Sequence, residues 1–379
     1  MLPRMHDSNQ TPPDSAAELQ PRVLPDGTLE WTGSGAPASP PRPDLSRGLL
    51  VWLVVLLAFG VGGVVFGQQE LALLAAAAGI FVAAHAADAD SGWRELYYAL
   101  RWVVPTLGFV MSIAVGAAIW QSSMPGLLRG GLVFFSACVA GLSVLSFPSR
   151  VANMMARALF REASPGHVLR LSARMVVLAI AIAIPGWFAA QLMMEELLGG
   201  TEPLMDKVGL GGGLIGYVLL AFAGVGWLTR RTLAEAAARL GLAWPGWRDL
   251  LVGGVTLGAL WGLNSGADIV QHRLFPELWA SDRRVTEAIT TGLTPARAVL
   301  LGLSAGIGEE ITLRGALQPR LGILLTSAFF AALHVQYSWF GMLVILVLGA
   351  LLGWVRQRTN TTVVILVHVA YDVMAVMGI

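Results

Sequence analysis

The chain has 379 residues, 55% of them hydrophobic with glycine left out, and only 13% charged. Soluble domains run at about 45–50% apolar with glycine included and about 25% charged, so with a mean hydropathy of +0.67 the composition excludes a cytosolic enzyme or a disordered scaffold. A balance of 25 basic against 24 acidic residues leaves no basic excess for nucleic acid, and the lone Cys138 excludes an intramolecular disulfide or a Cys-based zinc cluster.

In chain order, residues 1–47 differ in kind from the rest, holding 9 of the 19 prolines and charges of both signs. Such a segment buries too little apolar surface to offset its ordering entropy and is expected to be a disordered cytoplasmic tail. From Leu49 onward, apolar runs near the 17–25 residues of a membrane span alternate with polar loops. Eleven are counted, at 49–67, 70–87, 102–120, 131–147, 175–194, 208–228, 250–271, 295–318, 322–337, 339–355 and 361–378. Alternating sides from a cytoplasmic N-terminus puts 19 basic residues inside, mostly in the loops at 94–101, 150–174 and 230–248. Six fall outside: Arg129, Lys207, Arg273, Arg283, Arg284 and Arg297. That asymmetry follows the positive-inside rule. The expected fold is all-α, a polytopic transmembrane helical bundle of about eleven spans. It divides into a tail (1–47), an N-terminal membrane region of about six spans (48–249) and a C-terminal membrane domain (250–379).

A charge near mid-bilayer costs at least about 2.5–3.5 kcal/mol on the insertion scale, so each one inside a span is a functional hypothesis. The exceptions gather late: Glu309, Glu310 and Arg314 in the eighth span, His334 in the ninth, His368 and Asp372 in the eleventh. Thr294 and Pro295 open the eighth helix as N-cap and first helical residue, and Gln318 before Pro319 is its expected end. At 1.5 Å per residue Glu309 lies about 14 Å from the cytoplasmic side, His334 about 18 Å, His368 about 10 Å and Asp372 about 16 Å. Three antiparallel helices thus bring carboxylates and imidazoles to one level. Glu310 and Arg314 share a helix face, as do His368 and Asp372, and pairing of Glu310 with Arg314 leaves Glu309 as the freer carboxylate. A carboxylate base with two imidazoles, with or without a metal, can generate a nucleophilic water and stabilise a tetrahedral intermediate. The other histidines (His6, His85, His167 and His272) read as structural or surface residues. Asn264, Asp268 and His272 form a stripe at the opposite interface, an interfacial cap. Ser304 and Ser327 read as helix-bonded serines rather than nucleophiles.

The spacings Glu309-Glu310-Ile311-Thr312-Leu313-Arg314 (EExxxR), Phe330-Ala331-Ala332-Leu333-His334 (FxxxH) and His368-Val369-Ala370-Tyr371-Asp372 (HxxxN/D) occur in order on successive helices. Together they resemble the CPBP family of intramembrane proteases, which includes the CAAX prenyl protease type II (Rce1-like) and bacteriocin-processing enzymes. The resemblance covers roughly 250–379. It implies a prokaryotic plasma-membrane endopeptidase, with its site open to the cytoplasm, acting on membrane-associated peptides or proteins within the lipid bilayer. Carried over by motif, Glu309 is the general base, His334 assists it, Arg314 fixes Glu310, and His368 with Asp372 either stabilises the oxyanion or helps to hold a metal. One divalent metal such as zinc, held by His334, His368 and Asp372, is one implied form and a metal-free glutamate mechanism the other. Asp372 stands where the best-studied eukaryotic type has asparagine, which leans toward metal binding because a carboxylate donates to an oxyanion only when protonated. The competing classes are a non-proteolytic scaffold or immunity protein of the same fold and an ion- or proton-coupled transporter. The transporter is disfavoured because the first half carries no inverted repeat and no matching charges.

Overall fold

A computed structural model describes residues 20–23, 29–32, 43–198 and 210–378. Pro43–Ile379 make one unit, built from helices α1 (Leu45–Val65), α2 (Gln69–Ala89), α3 (Arg94–Leu100), α4 (Val103–Gln121), α5 (Gly126–Leu145), α6 (Ser149–Phe160), α7 (His167–Leu198), α8 (Leu210–Val225), α9 (Leu233–Leu240), α10 (Trp247–Leu274), α11 (Pro276–Thr290), α12 (Pro295–Glu310), α13 (Gln318–Ala332), α14 (Trp339–Arg358) and α15 (Thr361–Met377). A π-helical segment, Ile311–Leu317, joins α12 to α13. The chain is an all-α polytopic helical bundle. Among the described residues seven helices are long and apolar enough to cross a membrane, the segment Ser91–Gln121 counting as one of them, and α8 and α15 are apolar but shorter. A helix stands at each of the eleven expected positions, but α12 and α13 meet neither measure.

Three expectations need correction. Within the tail read as disordered, Gln20–Val23 pairs antiparallel with Leu29–Thr32 and its last residues open α1; the remainder of the tail, and the loop bearing Lys207, lie outside the described residues. The stretches 150–174 and 230–248, read as loops, contain α6 and α9. In α6 a short face of Ala152, Met155 and Ala156 is buried, while Arg150 and Arg157 keep its mean hydropathy below that of a span. In α9 Thr232 and Glu235 form a reciprocal capping box, which satisfies two otherwise orphaned amides. The eighth span is not one α-helix ending before Pro319. It passes into the π segment and through Pro319, and the break falls at Gly322, where φ of +76° is a region that only glycine adopts at little cost.

Helix α12 lies directly on α15 because its contact face is glycine. A Cβ at Gly306 would sit 2.8 Å from the backbone nitrogen of Val369, and one at Gly302 would sit 2.8 Å from Val373 Cγ2. Residues 302, 306 and 310 recur every four positions, so this face carries Glu310 toward α15 and His368. Gly306→Val should therefore cost about 1–3 kcal/mol by overpacking and part the two helices. Thermal unfolding of the purified chain checks this, and an unchanged midpoint would mean that α15 has room to yield.

Candidate active site

Glu310 is fully buried, at 0% exposure, as is Arg314. Arg314 Nε lies 3.2 Å from Glu310 Oε2, and Arg314 Nη2 donates to the Gly349 carbonyl on α14 at 3.2 Å. The guanidinium carbon stands 4.4 Å from the centroid of Phe330, a cation–π contact of the kind that strengthens when desolvated. The other oxygen of Glu310, Oε1, is 2.7 Å from His368 Nδ1. A carboxylate only accepts, so Nδ1 carries a proton and donates it. One buried carboxylate thus ties the π segment to α15.

His368 points its second nitrogen at Asp372, with Nε2 3.5 Å from Oδ2. That exceeds a good hydrogen bond and leaves the Nε2 side of the ring available to a third group. His334 is not inside the ninth span as expected. Helix α13 ends at Ala332 and His334 sits in the turn beyond it, its backbone nitrogen donating to the Ala331 carbonyl at 3.0 Å. Its Nδ1 donates to the Phe330 carbonyl at 2.9 Å, so in the neutral ring Nε2 bears the lone pair. Phe330 links the set, since its ring centroid lies 4.9 Å from that of His334 and 5.9 Å from that of His368.

Glu309 faces the charges of His368, Glu310, Arg314 and Glu70. Its Oε2 is buried without a hydrogen-bond partner among the described residues. Glu70 is the first residue of the second expected span, 70–87. In the fold α2 packs on the glycines of α8, a Cβ at Gly213 coming 3.0 Å from Glu70 Oε2 and one at Gly216 coming 2.7 Å from Leu74 Cδ1. The Tyr217 ring packs on Gly308, next to Glu309. An acidic residue within an apolar run was the one available signal for Glu70; Tyr217 had none.

The π segment is held from outside. Arg239 on α9 donates to the carbonyls of Gly315 at 3.1 Å and Ala316 at 3.3 Å. Burial, then the like charges of Arg320, Arg231 and Arg356, pull the Arg239 guanidinium down to about 10, so it remains a cation and a donor at neutral pH. Gln318 donates to the Gly353 carbonyl at 2.8 Å. Wide-bore segments of this kind occur frequently at functional sites.

The residues set aside take structural partners. His85 bonds the Gly224 carbonyl at 3.0 Å and His167 lies 2.6 Å from Asp88. Asp268 accepts from Trp279 Nε1 at 2.8 Å, and Trp279 stacks beside His272. Ser304 donates to the Leu210 carbonyl at 2.7 Å, a bond to α8 rather than to its own helix, and Ser327 is buried. Among the described residues no three His, Cys, Asp or Glu side chains converge as a metal-ligand group. His334, His368 and Asp372 are not gathered into such a group. His368 is committed to Glu310 through one nitrogen and aimed at Asp372 through the other.

The three motifs share one buried constellation, and a family model matches across them: residues 291–374 match the type II CAAX prenyl endopeptidase Rce1-like family. This stretch is an Rce1-like domain. The family is one of intramembrane CAAX-type endopeptidases. The matched stretch runs from the turn before α12 into α15, within the 250–379 over which the motifs carry the resemblance. A curated relative, "Uncharacterized protein YpbD" of Bacillus subtilis (strain 168), is 28% identical over 96 residues, 25% of this chain and 51% of the relative. The chain thus spans about half the length of the curated relative it matches. No solved structure matches.

Proposed function

We propose that this chain is an intramembrane endopeptidase that hydrolyses peptide bonds in membrane-associated peptides or proteins with a water activated by Glu309. The observation that carries the reading is the division of labour between two adjacent carboxylates. Glu310 is spent on Arg314 and His368, whereas Glu309 keeps a buried, unpartnered oxygen. That oxygen takes a proton from the attacking water, and His334 Nε2 accepts the water's other hydrogen and aims its lone pair. The tetrahedral oxyanion meets the Nε2–H of His368, whose ring orientation is fixed by Glu310 behind it. Asp372 sits beside that nitrogen and keeps the ring cationic while it donates. Glu309 then returns its proton to the leaving amine. Every step uses side chains of the Rce1-like domain.

The test is reconstitution of the full chain in phospholipid vesicles with membrane-anchored peptide reporters, prenylated and unprenylated, in ¹⁸O-labelled water. The expected result is two fragments, with one heavy oxygen in the new carboxylate and no covalent peptide–enzyme adduct. A folded chain that cleaves no reporter would favour the scaffold reading, and a trapped acyl adduct would overturn the role given to water.

A further inference from the structure

The membrane helices α1–α8 lie outside the Rce1-like stretch, yet one of them reaches the turn that carries His334. Trp187 and Gln191 are four residues apart on α7 and so share one face. Trp187 Nε1 donates to the Tyr337 carbonyl at 2.8 Å. Gln191 Nε2 donates to the carbonyls of Val335 at 3.0 Å and Tyr337 at 3.1 Å. The far end of the same turn is pinned from α11 by Asp282, which accepts from the Ser338 backbone nitrogen and hydroxyl at 2.6 Å each. Gln271 on α10 holds that carboxylate in turn at 2.7 Å.

Irregular backbone at membrane depth persists only where other groups satisfy its carbonyls. The turn after α13 has no helix of its own to do this, and α7 supplies the donors. Its internal bonds are short-range, from the Tyr337 amide to the His334 carbonyl at 3.1 Å and from the His334 amide to Ala331. These curl the turn without fixing it against the bundle. Without α7 the carbonyls of Val335 and Tyr337 lose the donors named above, while Phe330 and Ser338 still hold the two ends of the turn.

We infer that Trp187 and Gln191 are positioning residues for His334, so that the N-terminal membrane region holds one side chain of the catalytic constellation in register. The inference rests on the proposed endopeptidase reading for its kinetic consequence and on the hydrogen bonds alone for its structural one. A loosely held imidazole still binds substrate but spends less time aimed at the water, so the loss falls on kcat. Displacements of about 1 Å cost on the order of 100-fold.

Trp187→Phe removes the indole donor and keeps an aromatic ring against Phe188; Gln191→Met removes the amide donor at similar length. In the full chain in vesicles each should lower kcat about tenfold, and the double variant about 100-fold, with KM within about twofold and an unfolding midpoint lowered only modestly by the lost donor. A second readout needs no turnover: carbethoxylation of His334, followed by peptide mass mapping, should be several-fold faster in the variants, while His368 reacts as in the wild type. A rise in KM at constant kcat would overturn the inference in favour of substrate contact. So would a fall in kcat no larger than the unfolded fraction of each preparation accounts for, the mark of a structural residue, and so would unchanged His334 reactivity. Should the double variant fail to fold, the two single variants decide. If the wild type cleaves nothing while His334 reactivity still rises, the positioning holds and the endopeptidase reading fails.

Discussion

Glu309→Gln should abolish cleavage, lowering turnover about 10³-fold, within the range that general acid–base groups contribute, and leave the fold intact. Glutamine is nearly isosteric but cannot take a proton at neutral pH, so the attacking water loses its base and the leaving amine its acid. The structural cost is small because Glu309 Oε2 makes no hydrogen bond among the described residues. The neighbouring Glu310→Gln is a different experiment, because it removes the charge between Arg314 and His368 and confounds chemistry with stability. Reporter cleavage in vesicles, measured beside thermal unfolding of the same preparations, checks the claim. Substantial turnover by a folded Glu309→Gln chain would remove Glu309 from the role of base.

Arg314→Met should be the most destabilising change in the site, by about 3–5 kcal/mol, the usual cost of removing one partner of a buried ion pair. The loss is not of one contact. Glu310 would be left as a buried carboxylate facing only His368, the Gly349 carbonyl would lose its donor, and Phe330 would lose the cation above its face. Methionine restores length and apolar volume but none of these. Arg314→Lys should recover little, since a compact ammonium cannot reach carboxylate, carbonyl and ring together as a planar guanidinium does. Chemical unfolding in a constant detergent environment measures the difference, and a variant within about 0.5 kcal/mol of wild type would show that the pair is not structural.

How much of this was legible in the sequence differs from residue to residue. Composition and apolar run length located the helical bundle, because spanning segments must be long and nearly free of charge. The contacts of Arg314 with Glu310 and of His368 with Asp372 were legible because a four-residue spacing brings side chains together on a helix. His334 was displaced for a reason that local pattern cannot carry. Nothing in Leu333 to Tyr337 stops a helix; the turn is stabilised by Trp187, Gln191 and Asp282, which lie roughly 50 to 150 positions away in the chain. The π segment was hidden likewise, since the donor to its freed carbonyls, Arg239, sits on a helix read as a loop. Glu70 and Tyr217 reach Glu309 only through the close approach of α2 to α8, for which scattered glycines are too weak a signal.

Phe330 gives the site a thermodynamic unity that its three separate motifs conceal. One benzene ring is the shared wall for a guanidinium and two imidazoles, and its own carbonyl orients one of them. A change in its tilt is felt at once by the group that anchors Glu310 and by the two imidazoles proposed to aim the water and to receive the oxyanion. Free-energy effects of substitutions at Arg314, His334 and His368 are therefore not additive, and the catalytic centre behaves as one mechanical element rather than as an assembly of independent parts.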